Sequence, residues 1–179
     1  MRQLIGTSWV AVALWGMITS LAVAEPPKRV GPNGFLLWES PREVSEISFE
    51  AGDGTPLTLT TFGGKLILLN IWATWCSPCL AEMPFIQRLV ENTEREDIAF
   101  VMISVDESLE TARTFIEGRS YTFPVYHLTG PLPAPYTSNV VPTTYVISPE
   151  GDVVTIHSGM ANYDSDEFRS FLLELAQRV

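Results

Sequence analysis

Apolar and polar positions follow two rhythms along this chain, and the rhythms separate half-covered strands from fully buried ones. Residues 47–50 and 57–59 alternate on either side of Gly52-Asp53-Gly54, a pattern that predicts a β-hairpin. Residues 65–71, by contrast, hold the unbroken run Leu66-Ile67-Leu68-Leu69-Asn70-Ile71, as a strand with both faces covered requires. Residues 98–105 repeat that character. Between the two runs, residues 77–93 predict a helix, and Pro84 inside it cannot donate to the carbonyl of Leu80, so a kink is expected there. Residues 108–118 predict a second helix with Leu109, Ala112, Phe115 and Ile116 on one face, which completes a βαβα order. Farther on, residues 143–148 and 153–157 flank the turn Pro149-Glu150-Gly151-Asp152 and predict an antiparallel pair. Asp164-Ser165-Asp166-Glu167 then reads as the start of a last helix that buries Phe168, Phe171, Leu172 and Leu175.

The first 24 residues follow neither rhythm. After Arg2 no charge appears from Gln3 to Ala24, and the apolar stretch ends in Ala22-Val23-Ala24, the small-residue pattern of an export signal cleaved before Glu25. The same stretch approaches the ~20 residues a spanning helix needs, so an uncleaved membrane tether through residues 4–24 stands as the alternative. Residues 25–44 carry Pro26, Pro27, Gly31, Pro32, Gly34 and Pro41 and read as an arm or linker. Phe35, Leu36, Leu37 and Trp38 are too apolar for a free tether and are expected to pack on the domain surface. Residues 45–179 are then long enough for one domain with a single sizeable core.

Eleven Lys and Arg against 21 Asp and Glu give a formal net charge of −10, and loss of the leader would remove only Arg2. An acidic chain of this kind repels phosphate backbones and has no basic aromatic patch, which excludes nucleic acid as a partner.

Candidate chemistry lies in Trp75-Cys76-Ser77-Pro78-Cys79, which holds both cysteines of the chain at the junction of the first buried strand and its helix. A zinc site is disfavoured, since four ligands are wanted and His127 and His157 lack ligand spacing, so no metal is expected. A purely structural disulfide is disfavoured too, because so small a ring would restrict the unfolded chain very little. A redox couple fits best. At a helix N-terminus Cys76 meets the positive end of the helix dipole and unpaired amides, which favour the thiolate and make it the attacking sulfur. Cys79 would resolve the mixed disulfide formed on Cys76. Beyond this redox-active pair no cofactor is expected.

The segment from Leu69 through Asn70-Ile71-Trp72-Ala73-Thr74-Trp75-Cys76-Ser77-Pro78-Cys79-Leu80-Ala81-Glu82-Met83-Pro84 resembles the active-site signature of the TlpA/ResA family. Val141-Pro142-Thr143-Thr144-Tyr145 and the residues that follow, together with Phe123-Pro124-Val125, resemble further parts of the same family, over roughly residues 45–179. The resemblance implies an α/β, thioredoxin-like fold: a central mixed β-sheet with helices on both faces and an N-terminal β-hairpin. It implies that Trp75 shields the mouth of the site while Trp72 packs beneath it. Pro142 resembles the cis-proline that faces the cysteines, where the backbone of Val141 would offer a docking edge to an extended substrate. Thioredoxin itself keeps a buried aspartate where this chain has Asn70. Members of the resembled family use a glutamate at the position of Glu82, which shares a helix face with Cys79 and could take its proton if burial raises its pKa. Asn70 is left a structural role, bonding buried backbone. Asp106 and Glu107 read as solvated loop, and Met83 and Met160 as packing.

The function implied is an exported, periplasmic protein thiol-disulfide oxidoreductase, free or anchored in the inner membrane. It would reduce disulfides of specific exported proteins, of the cytochrome c maturation or copper-site assembly type, and be recharged by a membrane thiol donor. Two alternatives compete. A thiol peroxidase is suggested by the peroxiredoxin-like strand Ile103-Ser104-Val105-Asp106 and is tested by peroxide consumption; a copper chaperone using Cys76, Cys79 and a histidine is tested by Cu(I) competition.

Overall fold

In a computed structural model of the chain, the described residues are 29–31, 34–37, 46–93, 95–134, 136 and 139–177. The leader expected over residues 1–24 and Trp38 lie outside them. Strands are β1 (Arg29–Val30), β2 (Leu36–Leu37), β3 (Ser48–Glu50), β4 (Pro56–Thr58), β5 (Leu66–Trp72), β6 (Ile98–Ser104), β7 (Val125–Leu128), β8 (Thr143–Ile147) and β9 (Val153–Ser158). Helices are α1 (Ser77–Asn92), α2 (Leu109–Glu117) and α3 (Asp166–Ala176), with a 3₁₀ turn over Leu59–Phe62.

The strands form one mixed sheet in the order β1-β2-β9-β8-β5-β6-β7-β3-β4. At its centre β5 runs parallel to β6 and antiparallel to β8. Both β5 and β6 are buried at all seven positions, which explains their continuous apolar sequence. Their side chains alternate between two cores: Leu66, Leu68 and Trp72 join one cluster, Ile67, Leu69 and Ile71 the other. The thioredoxin-like arrangement is present, with its helical cover shared unequally. All three α-helices pack into the first cluster, whereas the second is covered by Leu59 of the 3₁₀ turn, Ile47 and Phe49 of the hairpin region, and Tyr136.

Local signals act where the sequence places them. Ser108 and Ser165 cap α2 and α3 by accepting from the backbone N–H of Thr111 and Phe168. Helix α1 runs unbroken through Pro84. Between β8 and β9, Gly151 takes φ +94°, a left-handed conformation that glycine adopts freely.

The arm is bound more deeply than surface packing. Leu36 and Leu37 pair antiparallel with Ile156 and Thr155 of β9. Phe35 is fully buried, with its ring 4.8 Å from both His157 and Phe168 and 5.8 Å from Tyr163. Phe35→Ala should therefore cost about 3 kcal/mol or more in a denaturant-unfolding measurement; a change below about 1 kcal/mol would mean that the arm contributes nothing to the fold.

Candidate active site

Helix α1 begins at a sulfur. Cys76 is its N-cap, in extended backbone conformation, and its Sγ accepts the Cys79 N–H at 3.2 Å. Pro78 lies in the first turn, where a missing N–H removes no helical bond. Cys76 and Cys79 are joined in a disulfide with Cα atoms 5.3 Å apart. Only 5% of Cys76 is exposed and none of Cys79, so an incoming group reaches the first sulfur alone.

The loop before β8 closes over that sulfur. The Val141–Pro142 bond is cis, and the Val141 carbonyl lies 3.5 Å from Cys76 Sγ. In the disulfide this sulfur carries no proton, so the approach is a contact; a Cys76 thiol would find an acceptor there. The Pro142 carbonyl accepts from Gly159 N–H at 2.8 Å, tying the loop to the turn after β9. Next in sequence to residues that bond in the site are Trp75, 68% exposed, beside Cys76, and Val140 and Met160, each 50% exposed, beside Val141 and Ala161. These are the large exposed apolar side chains among the described residues, and each comes from a different loop of the site. Met160 is thus surface rather than packing, and Trp72 is buried against Phe115 in the helix-side core.

Beneath the disulfide lies a carboxyl with no solvent exposure. Glu82 Oε1 accepts from Asn70 Nδ2 at 2.8 Å and Oε2 from the Ala161 N–H at 3.2 Å. Burial pushes its pKa from 4.5 up to about 8, against the pull of those two donors. Asn70 also donates to Thr144 Oγ1 at 2.8 Å, and Thr144 Oγ1 is 2.6 Å from the hydroxyl of fully buried Tyr163. Asn70 therefore bonds side chains, not the backbone expected of it. Burial, with the Glu82 charge adding to it, lifts the Tyr163 hydroxyl well above its ordinary range.

Asp106 was expected in solvent and is buried. Its carboxylate accepts from Thr74 N–H at 3.0 and 3.2 Å, from Thr74 Oγ1 at 2.7 Å and from Ser104 Oγ at 2.7 Å. It thereby fixes the residue that leads into Trp75 and Cys76. The contact spans 32 residues, and only its position after a buried strand hinted at it. His127 bridges Glu50 and the Asp106 carbonyl, and His157 stacks on Phe35.

With this geometry in place, the comparisons define the class. A model of the AhpC/TSA family matches residues 42–156, and the chain belongs to that family. The thioredoxin-like fold is shared with a thiol:disulfide interchange protein of the thioredoxin family from Chlorobium tepidum, at a TM-score of 0.61 and 23% identity over 76% of this chain and 97% of that one. Within the class it resembles proteins named thiol-disulfide oxidoreductase ResA. The one from Oceanobacillus iheyensis is 36% identical over 68% of this chain, a match that spans 64% of that protein's length. The one from Bacillus cereus is 30% identical over 69% of this chain and 78% of its own.

Two expectations follow from the site. Asp106→Ala leaves the Thr74 N–H without its acceptor and should lower stability by about 1–3 kcal/mol, read as a shift in the urea midpoint. Glu82 is the pH-dependent group: folding raises its pKa from 4.5 to about 8, so across that window the folded chain holds a proton that the unfolded chain has released. That contribution is complete below about pH 4.5 and is lost as pH rises through about 8. Glu82→Gln should remove that part of the decline, and identical pH profiles of the urea midpoint in wild type and variant would exclude it.

Proposed function

We propose that this chain is an exported thiol-disulfide oxidoreductase that reduces disulfides of particular exported proteins. The observation that carries the reading is the disulfide between Cys76, which keeps a trace of solvent exposure, and a sealed Cys79, beside the Val141–Pro142 loop. The ResA-named relatives support it.

In the reduced chain, the Cys76 thiolate attacks one sulfur of the substrate disulfide. A mixed disulfide forms, and one substrate sulfur leaves and takes up a proton. Cys79 then gives its proton to Glu82 in its ionised form and attacks Cys76 Sγ; the second substrate sulfur leaves as a thiolate and takes a proton from solvent, and the Cys76–Cys79 bond is left. Two electrons have passed to the substrate. Glu82, one helical turn from Cys79, suits that step because its raised pKa lets the oxidised protein keep the proton Cys79 gave up. No cofactor beyond the cysteine pair takes part.

Trp75, Val140 and Met160 supply an apolar rim for an extended substrate segment, which would lie along the Val141 backbone. The uncharged residues 3–24 support export to the periplasm, with residues 4–24 as tether if uncleaved. In that oxidising compartment a reductant needs electrons from a membrane thiol donor, and proteins awaiting haem attachment or copper loading are the substrates that require their cysteines kept reduced. Peroxide reduction would want an arginine at the cysteine. The described arginines 88, 95, 113 and 169 pair with acidic residues elsewhere, and Arg119 sits over the Phe115 ring.

Cys79→Ser should trap the natural partner as a stable mixed disulfide on Cys76, identified by mass spectrometry after non-reducing purification, and Cys76→Ser should trap nothing. Equal trapping by both variants, or none by either, would overturn the reading. Glu82→Gln should change the pH dependence of exchange while leaving the fold intact.

A further inference from the structure

Asn70 is buried and half used. Its Nδ2 donates twice, to Glu82 Oε1 and Thr144 Oγ1 at 2.8 Å each, while its Oδ1 is buried with no partner. An unsatisfied buried carbonyl costs free energy, and turning the amide over would seem to answer it. With Glu82 ionised the turned amide is excluded, since it would set an oxygen against a carboxylate oxygen and the Nδ2 hydrogens away from both acceptors. With Glu82 protonated the balance reverses: the carboxylic O–H needs an acceptor, and a turned Oδ1 supplies it. The Thr144 hydroxyl can reverse to donate, because Tyr163 OH at 2.6 Å is able to act as donor or acceptor in return. Each orientation leaves one amide atom without a partner, oxygen in the first and nitrogen in the second, so the cost of burial does not decide between them. The charge of Glu82 does.

We propose that Asn70, steadied by Thr144 and Tyr163, is a positioning residue that serves both charge states of Glu82, donating to the carboxylate and, after its amide turns over, accepting from the acid. The inference deepens the proton-handling reading of Glu82 and rests on it for its meaning in catalysis. Sheet register makes the arrangement possible, because Asn70 of β5 and Thr144 of β8 are directly paired. Glu82 comes from α1 and Tyr163 from the turn after β9. The titratable groups on this side of the sheet are Cys79 on the same helix as Glu82, Tyr163, and His157 of β9, which is paired in register with Thr144 and stacked on Phe35; β5 contributes Asn70 and β8 Thr144, neither of them charged, and α3 turns apolar Phe168 and Leu172 toward the same core.

The test reads the oxidised protein, where no thiol titrates. The Glu82 carboxyl is followed by carbon NMR and the Asn70 side-chain amide by nitrogen-edited NMR across pH 5 to 10. The expected result is a shift of the Asn70 amide with the same midpoint as Glu82. Asn70→Leu removes both bonds, and because the one to the carboxylate is the stronger it should raise the Glu82 midpoint by about one pH unit, the scale of the difference between a charged and a neutral hydrogen bond. Thr144→Val and Tyr163→Phe should raise it by less, in the same direction, and they retain the core shape if Asn70→Leu fails to fold. An Asn70 amide that stays still through the Glu82 titration, or variants whose midpoints equal that of the wild type, would overturn the proposal. The pH profile of disulfide exchange in Glu82→Gln separates the two readings: an unchanged profile removes proton handling by Glu82 and leaves the titration result to judge Asn70.

Discussion

Seven consecutive buried residues make β5 the ruler from which every other position of the site is measured. Because its side chains alternate between two cores, Asn70 takes its place on the helix side, between Leu68 and Trp72. The antiparallel register with β8 sets Thr144 beside Asn70, and α1 lays Glu82 over both. A slip of one residue in that register would carry Asn70 to the opposite core and leave Glu82 without its donor. The apolar content of β5 and β8, which fixes the register, is therefore also what assembles a polar cluster in the middle of the protein.

A carboxyl brought so deep needs either a cation or a proton, and no cation is among the groups that bond Glu82 or shift its pKa. Two donors are too few to offset the lost water, and the carboxyl holds its proton to about pH 8. Asp106 faces a different environment. One N–H and two hydroxyls converge on it, and they tie it to the loop that leads into Cys76. The chain thus uses one buried acid to fix the approach to Cys76 and another to respond to pH beneath Cys79.

Features carried by local sequence were readable in advance. The apolar runs of β5 and β6, the helix start at Ser165, the hairpins around residues 52–54 and 149–152, and the cysteines at a strand-to-helix junction all act through neighbours in the chain. Features that depend on distant partners were not. Phe35 belongs to the core because β2 adds to β9, more than a hundred residues later, and nothing in a stretch rich in proline and glycine announces that pairing. Asp106 looks like any acidic residue after a strand until Thr74 is placed opposite it. Asn70 was legible as a departure from an aspartate, yet its partner was not, since the contact with Glu82 joins a strand to a helix across the site. The unequal helical cover follows from the same limit: periodicity shows which residues of a helix are buried, not which face of the sheet they meet.

The polar cluster and the apolar rim belong to different parts of this fold. Glu82, Asn70, Thr144 and Tyr163 are sealed from solvent under the disulfide. The exposed apolar side chains Trp75, Val140 and Met160 lie on the loops after β5, before β8 and after β9. Those three strands are adjacent in the sheet, so their loop ends converge at one pole whatever residues they carry. On the proposed function, a change to a rim side chain would therefore act on docking and leave the Glu82 cluster as it is, whereas a change at Asn70 or Thr144 would act on the cluster and leave the rim as it is. The chain as a whole carries a formal charge of −10. A net charge of that sign attracts basic surfaces and repels acidic ones at long range, most strongly at low salt.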